Sequence, residues 1–220
     1  DNLFVKCWKS SSSNLLLSLL MGEKMNKILH ILIVLLFSLT IISCAKKSDT
    51  SSTSSTTEVE GTWTTSCFLS SGFYRINTIT VTGTDVVAKY EWHSDSNCST
   101  DYALYEDTYD SLSIGDEVTF VNGTKGHYFT VDVVSFKLTP QSASAVSTLN
   151  SDVSCGYSDW ALNTAKDYTG KTCGSTAYAV ANTSAQGLYN LVGNNVFLGS
   201  LNTTGSYPTE VSTSITYVKQ

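Results

Sequence analysis

The chain contains very little arginine and very little proline. Arg75 is the only arginine among 220 residues, and there are 2 prolines. Residues 61–220 carry 7 Lys and Arg against 14 Asp and Glu, which gives 7 − 14 = −7. An acidic surface repels phosphate groups, so this composition argues against binding to nucleic acid and against a basic patch for anionic lipid.

Catalytic and metal-binding motifs are also missing from the sequence. It has no Gly-x-Ser-x-Gly nucleophile elbow, no glycine-rich phosphate loop and no Cys-x-x-Cys pair. His93 and His127 have no second His or Cys at metal-ligand spacing, and we expect both to be surface residues on strands. We therefore expect a protein that is not an enzyme and needs no metal or cofactor. A hydrolase whose site is assembled only by folding is the alternative.

One polar stretch matches the ligand spacing of an EF-hand calcium loop. Five residues occupy its positions 1, 3, 5, 7 and 12: Asp95, Asn97, Ser99, Asp101 and Glu106. Position 6, where the loop needs glycine for its sharp turn, is Thr100, and Cys98 also lies inside the stretch. We expect a polar hairpin turn beside a disulfide bond, with calcium binding as the alternative.

The longest apolar run in the chain lies within Met25–Cys44. Lys27 precedes the apolar segment Ile28–Phe37, and the run ends Ile-Ile-Ser-Cys. This layout is typical of a secretory signal peptide, here residues 25–43. The last four residues resemble the lipobox of bacterial lipoproteins, which implies that Cys44 receives a diacylglyceryl group and becomes the mature N-terminus. A single membrane-spanning helix is the alternative.

The lipobox resemblance also implies a location and a partner. Ala45 follows the lipid-bearing cysteine, where enteric bacteria use Asp to retain lipoproteins at the inner membrane. We therefore expect the bacterial outer membrane, with membrane lipid as the partner through the acyl chains on Cys44. Two or more acyl chains hold a protein durably on its membrane.

The rest of the N-terminal region is not expected to belong to the folded domain. Residues 1–24 are expected to be upstream sequence, because Gly22-Glu23-Lys24 requires a purine-rich codon run that resembles a ribosome-binding site, with Met25 as the start. A cytoplasmic extension is the alternative. Residues 44–60 are rich in Ser and Thr and predict a flexible tether. Residues 61–220 are long enough for one domain with its own core.

Four cysteines remain for the folded domain once Cys7 and Cys44 are set aside: Cys67, Cys98, Cys155 and Cys173. An even number in an exported domain indicates two disulfides, and four cysteines allow three connectivities. We favour Cys67 with Cys98 and Cys155 with Cys173, because each pair closes a loop within one local unit. A zinc site is the alternative.

Short runs of Val, Ile, Thr, Tyr and Phe between Gly, Asn, Asp and Ser predict an all-β domain. We expect strands over 61–68, 73–82, 86–93, 102–114, 118–121, 126–138, 187–192, 196–200 and 212–219. In the third strand, Ala88, Tyr90 and Trp92 are expected to face the core. The apolar alternation changes phase at Val133–Val134, which predicts a bulge. Thr139-Pro140 resembles a helix start, so one short helix should follow.

The first predicted strand opens with Gly61-Thr62-Trp63, which resembles the Gly-x-Trp signature of the lipocalin and calycin superfamily. The resemblance implies a single antiparallel up-and-down barrel of about eight strands. It also implies that Trp63 packs at the closed end of the barrel beneath a basic residue, Lys219 or alternatively Arg75. A β-sandwich is the alternative fold.

Aromatic residues outside the predicted core are candidates for binding. We predict that five of them line the barrel mouth or a partner-binding rim: Tyr102, Tyr105, Tyr109, Tyr157 and Trp160. The sequence thus suggests a non-enzymatic, lipid-anchored envelope protein that binds a small apolar ligand in a barrel. The alternative is a surface interaction module, an enzyme inhibitor or an adhesin, whose partner is an extracellular protein.

Overall fold

The computed structural model of this chain describes residues 58–120 and 123–220. The expected upstream sequence (1–24), the expected signal peptide, Cys44 and nearly all of the expected tether lie outside the described residues. The strands are β1 (Gly61–Thr64), β2 (Phe68–Ser70), β3 (Phe73–Thr82), β4 (Asp85–His93), β5 (Asp101–Thr119), β6 (Lys125–Pro140), β7 (Lys166–Asp167), β8 (Thr172–Cys173), β9 (Thr176–Ala177), β10 (Ser184–Val192), β11 (Asn195–Leu198) and β12 (Tyr217–Lys219).

Eight of these strands close into an antiparallel barrel. Their order around the barrel is β1, β12, β11, β10, β6, β5, β4 and β3, and β3 pairs back with β1. Every neighbour is antiparallel, and neighbours follow in chain order apart from the closing pair of β1 and β12. Only short strands intervene, namely β2 between β1 and β3, and β7 to β9 between β6 and β10. The predicted up-and-down barrel is confirmed and the sandwich alternative is wrong, because closure leaves no unpaired edge in this ring.

Two short strands extend the barrel beyond this ring. β2 pairs with β3 past the end of β1, so that Phe68 lies opposite Arg75. β7 pairs with β6 past the end of β10, so that Lys166 lies opposite Leu138. We call the end that contains Phe68, Arg75 and Trp92 the Arg75 end. The end that contains Val59, Trp63 and Lys219 is the Trp63 end.

The predicted bulge in β6 is present at Val134. Thr108 pairs with Ser135 and Tyr109 pairs with Val133, which leaves Val134 without a partner on β5. Val133 is 1% exposed and Val134 is 41% exposed. One extra residue therefore changes the phase of the alternation, and apolar residues on both sides of it face the core.

The helix begins later than the sequence predicts. α1 covers Ala143–Ser151, and the hydroxyl of its N-cap Ser142 accepts a hydrogen bond from the backbone N–H of Ala145. Pro140 is the last residue of β6, where it lies opposite Ala103. The prediction that Thr139-Pro140 starts the helix is wrong, because Ser142 supplies a side-chain cap and Thr139 continues the ladder.

Both predicted disulfides are confirmed. Cys67 is bonded to Cys98 and Cys155 to Cys173, so a zinc site formed by these cysteines is excluded. The first bond joins the segment before β2 to the turn between β4 and β5. The second closes residues 155–173. These lie within residues 152–183, which we call the cross-linked segment and which include a short 3-10 turn, Ser154–Gly156.

The two histidines are less exposed than predicted. His93 is 5% exposed, and its Nδ1 lies 3.2 Å from Oδ1 of Asp101. His127 is half-buried, with its ring stacked on Tyr189 at 5.5 Å between centroids. The prediction for His93 is wrong because the pairing of β4 with β5 shifts between Trp92 and His93, where regular alternation ends.

In the described part of the chain, no helix is long and apolar enough to cross a bilayer.

Candidate binding site inside the barrel

Trp63 occupies the core of the Trp63 end. Its side chain is 3% exposed, and Nε1 donates a hydrogen bond to the carbonyl oxygen of Val59 at 2.8 Å. Lys219 lies opposite Trp63 in the ladder, with Nζ 5.1 Å from a ring centroid of Trp63. Gly61 has φ of +111°, and a Cβ there would lie 3.4 Å from Cε of Lys219. Glycine therefore permits both the backbone conformation and the approach of the lysine.

Arg75 does not lie over Trp63. Its guanidinium carbon is 5.4 Å from the ring centroid of Phe68 and 5.4 Å from that of Trp92. The suggestion that Arg75 covers Trp63 is therefore wrong, and Lys219 has that position. The reason is the ladder register, since Arg75 pairs with Phe68 and Trp92, whereas Trp63 pairs with Lys219 and Ile79.

An apolar cavity of about 120 Å³ lies in the interior of the barrel. Its lining comes from seven strands and from Val59, and it includes Trp63, Ile79, Ala88, Tyr109, Val131 and Val196. Trp63 and three tyrosines contribute the only polar side-chain atoms among the lining residues. A water molecule in such a space would find few hydrogen-bond partners, so the cavity favours an apolar occupant.

Gly187 helps to shape this cavity. A Cβ at Gly187 would lie 2.1 Å from Cζ of Phe129, which lines the cavity and pairs with Gly187 in the ladder. The Phe129 ring therefore lies directly over the Gly187 backbone. A larger residue at position 187 would push this ring into the cavity.

The five aromatic residues that were predicted to form a rim do not lie together at either end of the barrel. Tyr109 is buried and lines the apolar cavity. Trp160 belongs to the cross-linked segment and is 3% exposed, and its Nε1 donates to the carbonyl oxygen of Ser154. The sequence could not separate a rim from a core because aromatic residues fit both environments.

The other three predicted rim residues have separate environments. The ring of Tyr102 lies 4.5 Å from that of Phe73 at the Arg75 end. The hydroxyl of Tyr157 donates to the carbonyl oxygen of Asp167 at 2.7 Å. Tyr105 lines a second pocket of about 280 Å³, which it shares with the Cys155–Cys173 disulfide.

Asp107 is a buried acid that the sequence analysis did not single out. The hydroxyl of Tyr109 donates to its Oδ2 at 3.4 Å, and its Oδ1 is buried without a hydrogen-bond partner. Burial raises the pKa of Asp107 to about 7, although hydrogen bonds from Tyr109 and Tyr168 oppose this. A signal was present, because Tyr105, Asp107 and Tyr109 alternate and so place an acid on the inward face of β5.

Arg75 is a cation on the inner face of the barrel without an acidic partner. Its Nη2 donates to Oγ of Ser70, and its Nε is buried without an acceptor. Among the described residues, no carboxylate oxygen lies within 4.0 Å of a guanidinium nitrogen of Arg75. Nε1 of Trp92, directly across the ladder, is also buried without an acceptor.

The stretch that matches an EF-hand loop has a different geometry. The carboxylate of Asp95 accepts hydrogen bonds from the backbone N–H groups of Asn97, Ser99 and Thr100, and from the Ser99 hydroxyl. These bonds lower the pKa of Asp95 to about 2, and the bond from the Ser99 side chain has the largest effect. Glu106 points instead to Nζ of Lys89 at 3.5 Å. Asp95 thus stabilises a turn, and no cluster of three metal-ligating side chains occurs in the part of the chain described.

Comparison with protein-family models and with curated proteins found no match for this chain.

Proposed function

We propose that this chain is a non-enzymatic binding protein of the bacterial outer membrane that holds a small apolar ligand inside its barrel. The apolar cavity within a closed barrel is the observation that supports this proposal. Lipid on Cys44 attaches the protein to the membrane, as the lipobox resemblance implies. The residues of the cavity are therefore candidates for ligand contact, and Cys44 is the candidate for acylation.

The size and chemistry of the cavity define the ligand class. About 120 Å³ suits one alkyl chain or one ring rather than a large cofactor. Burial of apolar surface contributes about 25 cal/mol per Å², so a ligand that buries about 200 Å² gains about 5 kcal/mol before the entropic cost of binding. A small aliphatic or aromatic molecule is therefore the expected ligand.

Binding of 1-octanol to the full chain, measured by titration calorimetry, tests the ligand part of this proposal. Ala88→Leu should reduce the affinity at least about 10-fold, because the larger side chain fills the cavity from β4. Val196→Phe fills it from β11 and should have the same effect. Val87→Leu is the matched control, since Val87 is on the outer face of the same strand. The absence of octanol binding to the wild type would contradict the proposal.

Metabolic acyl labelling in a bacterial host tests the membrane anchor. The wild type should incorporate labelled fatty acid and fractionate with the outer membrane, whereas Cys44→Ser should do neither. Equal labelling of the two proteins would contradict lipidation at Cys44 and leave the ligand proposal untouched.

A surface interaction module is the second candidate function. Val153, Leu162 and Val180 in the cross-linked segment are each more than half exposed. A contiguous patch of exposed apolar residues is typical of a surface that contacts another protein. This candidate gains if the cavity variants leave function in the host unchanged while polar substitutions at Val153, Leu162 and Val180 abolish it.

A further inference from the structure

We infer that the ligand carries a carboxylate, which binds Arg75 and Trp92 at the Arg75 end while its apolar tail occupies the cavity. This inference rests on the proposed function and narrows it from any small apolar molecule to an amphipathic acid. The inference is based on buried polar atoms of the barrel interior that have no hydrogen-bond partner.

Arg75 is the first of these observations. Its inward position follows from its pairing with Phe68 on one side and Trp92 on the other, and from buried Asn77 two residues along β3. The two aromatic rings hold the guanidinium group between them, while its Nε has no acceptor. An arginine cannot lose its proton in a protein, so this charge requires an anion or water.

Trp92 supplies a second unpartnered donor at the same place. An indole nitrogen can only donate, and Nε1 of Trp92 is buried without an acceptor. The hydroxyl of Tyr217 already accepts from Nδ2 of Asn77 at 3.2 Å and retains its own proton to donate. Oδ1 of Asn77 is buried without a partner, but this acceptor is neutral and cannot balance the charge of Arg75. A group that only accepts, and that carries negative charge, satisfies all three donors.

The buried acid in the barrel does not meet this requirement. Asp107 lies two inward positions further along the ladder, opposite Ala88, whereas Arg75 lies opposite Trp92. No hydrogen bond or ion pair joins Asp107 to Arg75 among the described residues. Asp107 can also become neutral by holding its proton, an option that arginine does not have. Arg75 is therefore the group in the barrel that most needs an anionic partner.

The anion site and the apolar cavity share the inner face of β4. Tyr90 lines the cavity and lies two residues from Trp92, about 7 Å along the strand. Ala88, which also lines the cavity, is two residues further. A ligand with its carboxylate between Arg75 and Trp92 can therefore extend its apolar tail past Tyr90 into the cavity.

Three ligands with the same eight-carbon chain test this inference on the full protein by titration calorimetry. Octanoate should bind about 10-fold more tightly than 1-octanol, because a hydrogen bond to a charged group contributes about 1.5 kcal/mol or more. Octylammonium should bind most weakly, since its charge repels Arg75. These comparisons use only the wild type, so they do not depend on whether a variant folds.

Substitutions then locate the effect. Arg75→Gln should remove the preference for octanoate and leave the affinity for 1-octanol within about 2-fold. Trp92→Phe should weaken octanoate binding alone. Lys89→Gln is the matched control, because Lys89 is a cation on the outer face of β4 paired with Glu106, and it should change neither affinity.

The outcomes separate this inference from the proposed function. If 1-octanol binds and octanoate binds no better, or if Arg75→Gln keeps the preference, the carboxylate site is wrong and the apolar site stands. If neither ligand binds the wild type, both are wrong. Tight octanoate binding that Arg75→Gln abolishes supports both.

Discussion

The two ends of the barrel differ in whether their buried polar atoms have hydrogen-bond partners. At the Trp63 end, Nε1 of Trp63 donates to the Val59 carbonyl, and the hydroxyl of Tyr189 donates to Oε1 of Glu58 at 2.5 Å. At the Arg75 end and just inside it, Nε of Arg75, Nε1 of Trp92 and Oδ1 of Asp107 have no partner.

This difference indicates a division of roles within one barrel. A satisfied buried group adds stability, whereas an unsatisfied one costs free energy that must be recovered elsewhere. The Trp63 end therefore serves mainly to hold the barrel closed. The Arg75 end keeps donors available, which is expected where a ligand completes the hydrogen bonding. Substitutions at the two ends test this contrast.

Trp63→Ala should cause the largest loss of stability. Removal of a buried tryptophan typically lowers the free energy of unfolding by about 3–5 kcal/mol. It also leaves the carbonyl oxygen of Val59 without the donor that Trp63 supplies. Urea denaturation of the wild type and variant measures the difference. Trp92→Phe is the comparison at the other end, and we expect it to cost less, because it removes an unpartnered donor. Equal costs for the two variants would contradict the division of roles.

Loss of the Cys155–Cys173 disulfide should come next. The bond spans 18 residues, and the chain-entropy model assigns about 3 kcal/mol to a loop of this size. The double variant Cys155→Ser, Cys173→Ser should therefore lower the free energy of unfolding by about 3 kcal/mol in urea. The cross-linked segment also packs Tyr168 against Phe136 of the barrel. A variant of unchanged stability would show that such packing holds the segment in place without the disulfide.

Asp107→Asn should change how stability depends on pH. In the folded protein Asp107 keeps its proton up to a pKa of about 7, whereas in the unfolded chain it loses the proton near pH 4. The folded state therefore binds more protons between these values, and stability falls as pH rises. From pH 5 to pH 8 this group should cost the wild type about 2–3 kcal/mol.

The Asn variant cannot titrate, so this part of the pH dependence should be absent from it. Urea denaturation at pH 5, 6.5 and 8 provides the measurement. Asp159→Asn is the control, because that exposed acid pairs with Lys166 and does not face the barrel interior. Identical slopes for the wild type and Asp107→Asn would mean that Asp107 is ionised in the folded state throughout.

Lys219→Met should have the smallest effect. The substitution removes a cation 5.1 Å from the Trp63 ring centroid but retains an alkyl chain over it. A cation–π contact at an exposed site contributes about 0.5–1 kcal/mol. The loss should be measurable by urea denaturation at low salt, and no change at all would show that the alkyl chain alone covers the tryptophan.

The sequence predicted those features that depend on local pattern. Alternation predicted most of the strands, and its phase change predicted the bulge at Val134. The predicted strands 102–114 and 118–121 are a single strand, β5, and the predicted strand 212–219 is confined to β12. The even number of cysteines and their grouping into two local units predicted both disulfides. The helix start was missed because two candidate caps stand close together, and only the ladder shows that Thr139 still belongs to β6.

The candidate site was harder to predict because it depends on register. Arg75 is the only arginine in the chain, yet its position between Phe68 and Trp92 follows from pairings across three strands. Burial of His93 depends on a register shift in the same way. Alternation in β5 did place Asp107 inward, and an acid at such a position could have been recognised from the sequence.

Isotope-filtered NMR of the full chain with bound unlabelled octanoate tests the central claim most directly, because it shows where the ligand lies. The account predicts intermolecular contacts from the terminal methyl group of octanoate to Ile79, Ala88, Val131 and Val196, with the carbon next to the carboxylate near Trp92. Contacts only to exposed residues such as Leu69 and Val180, with none to the cavity, would contradict it.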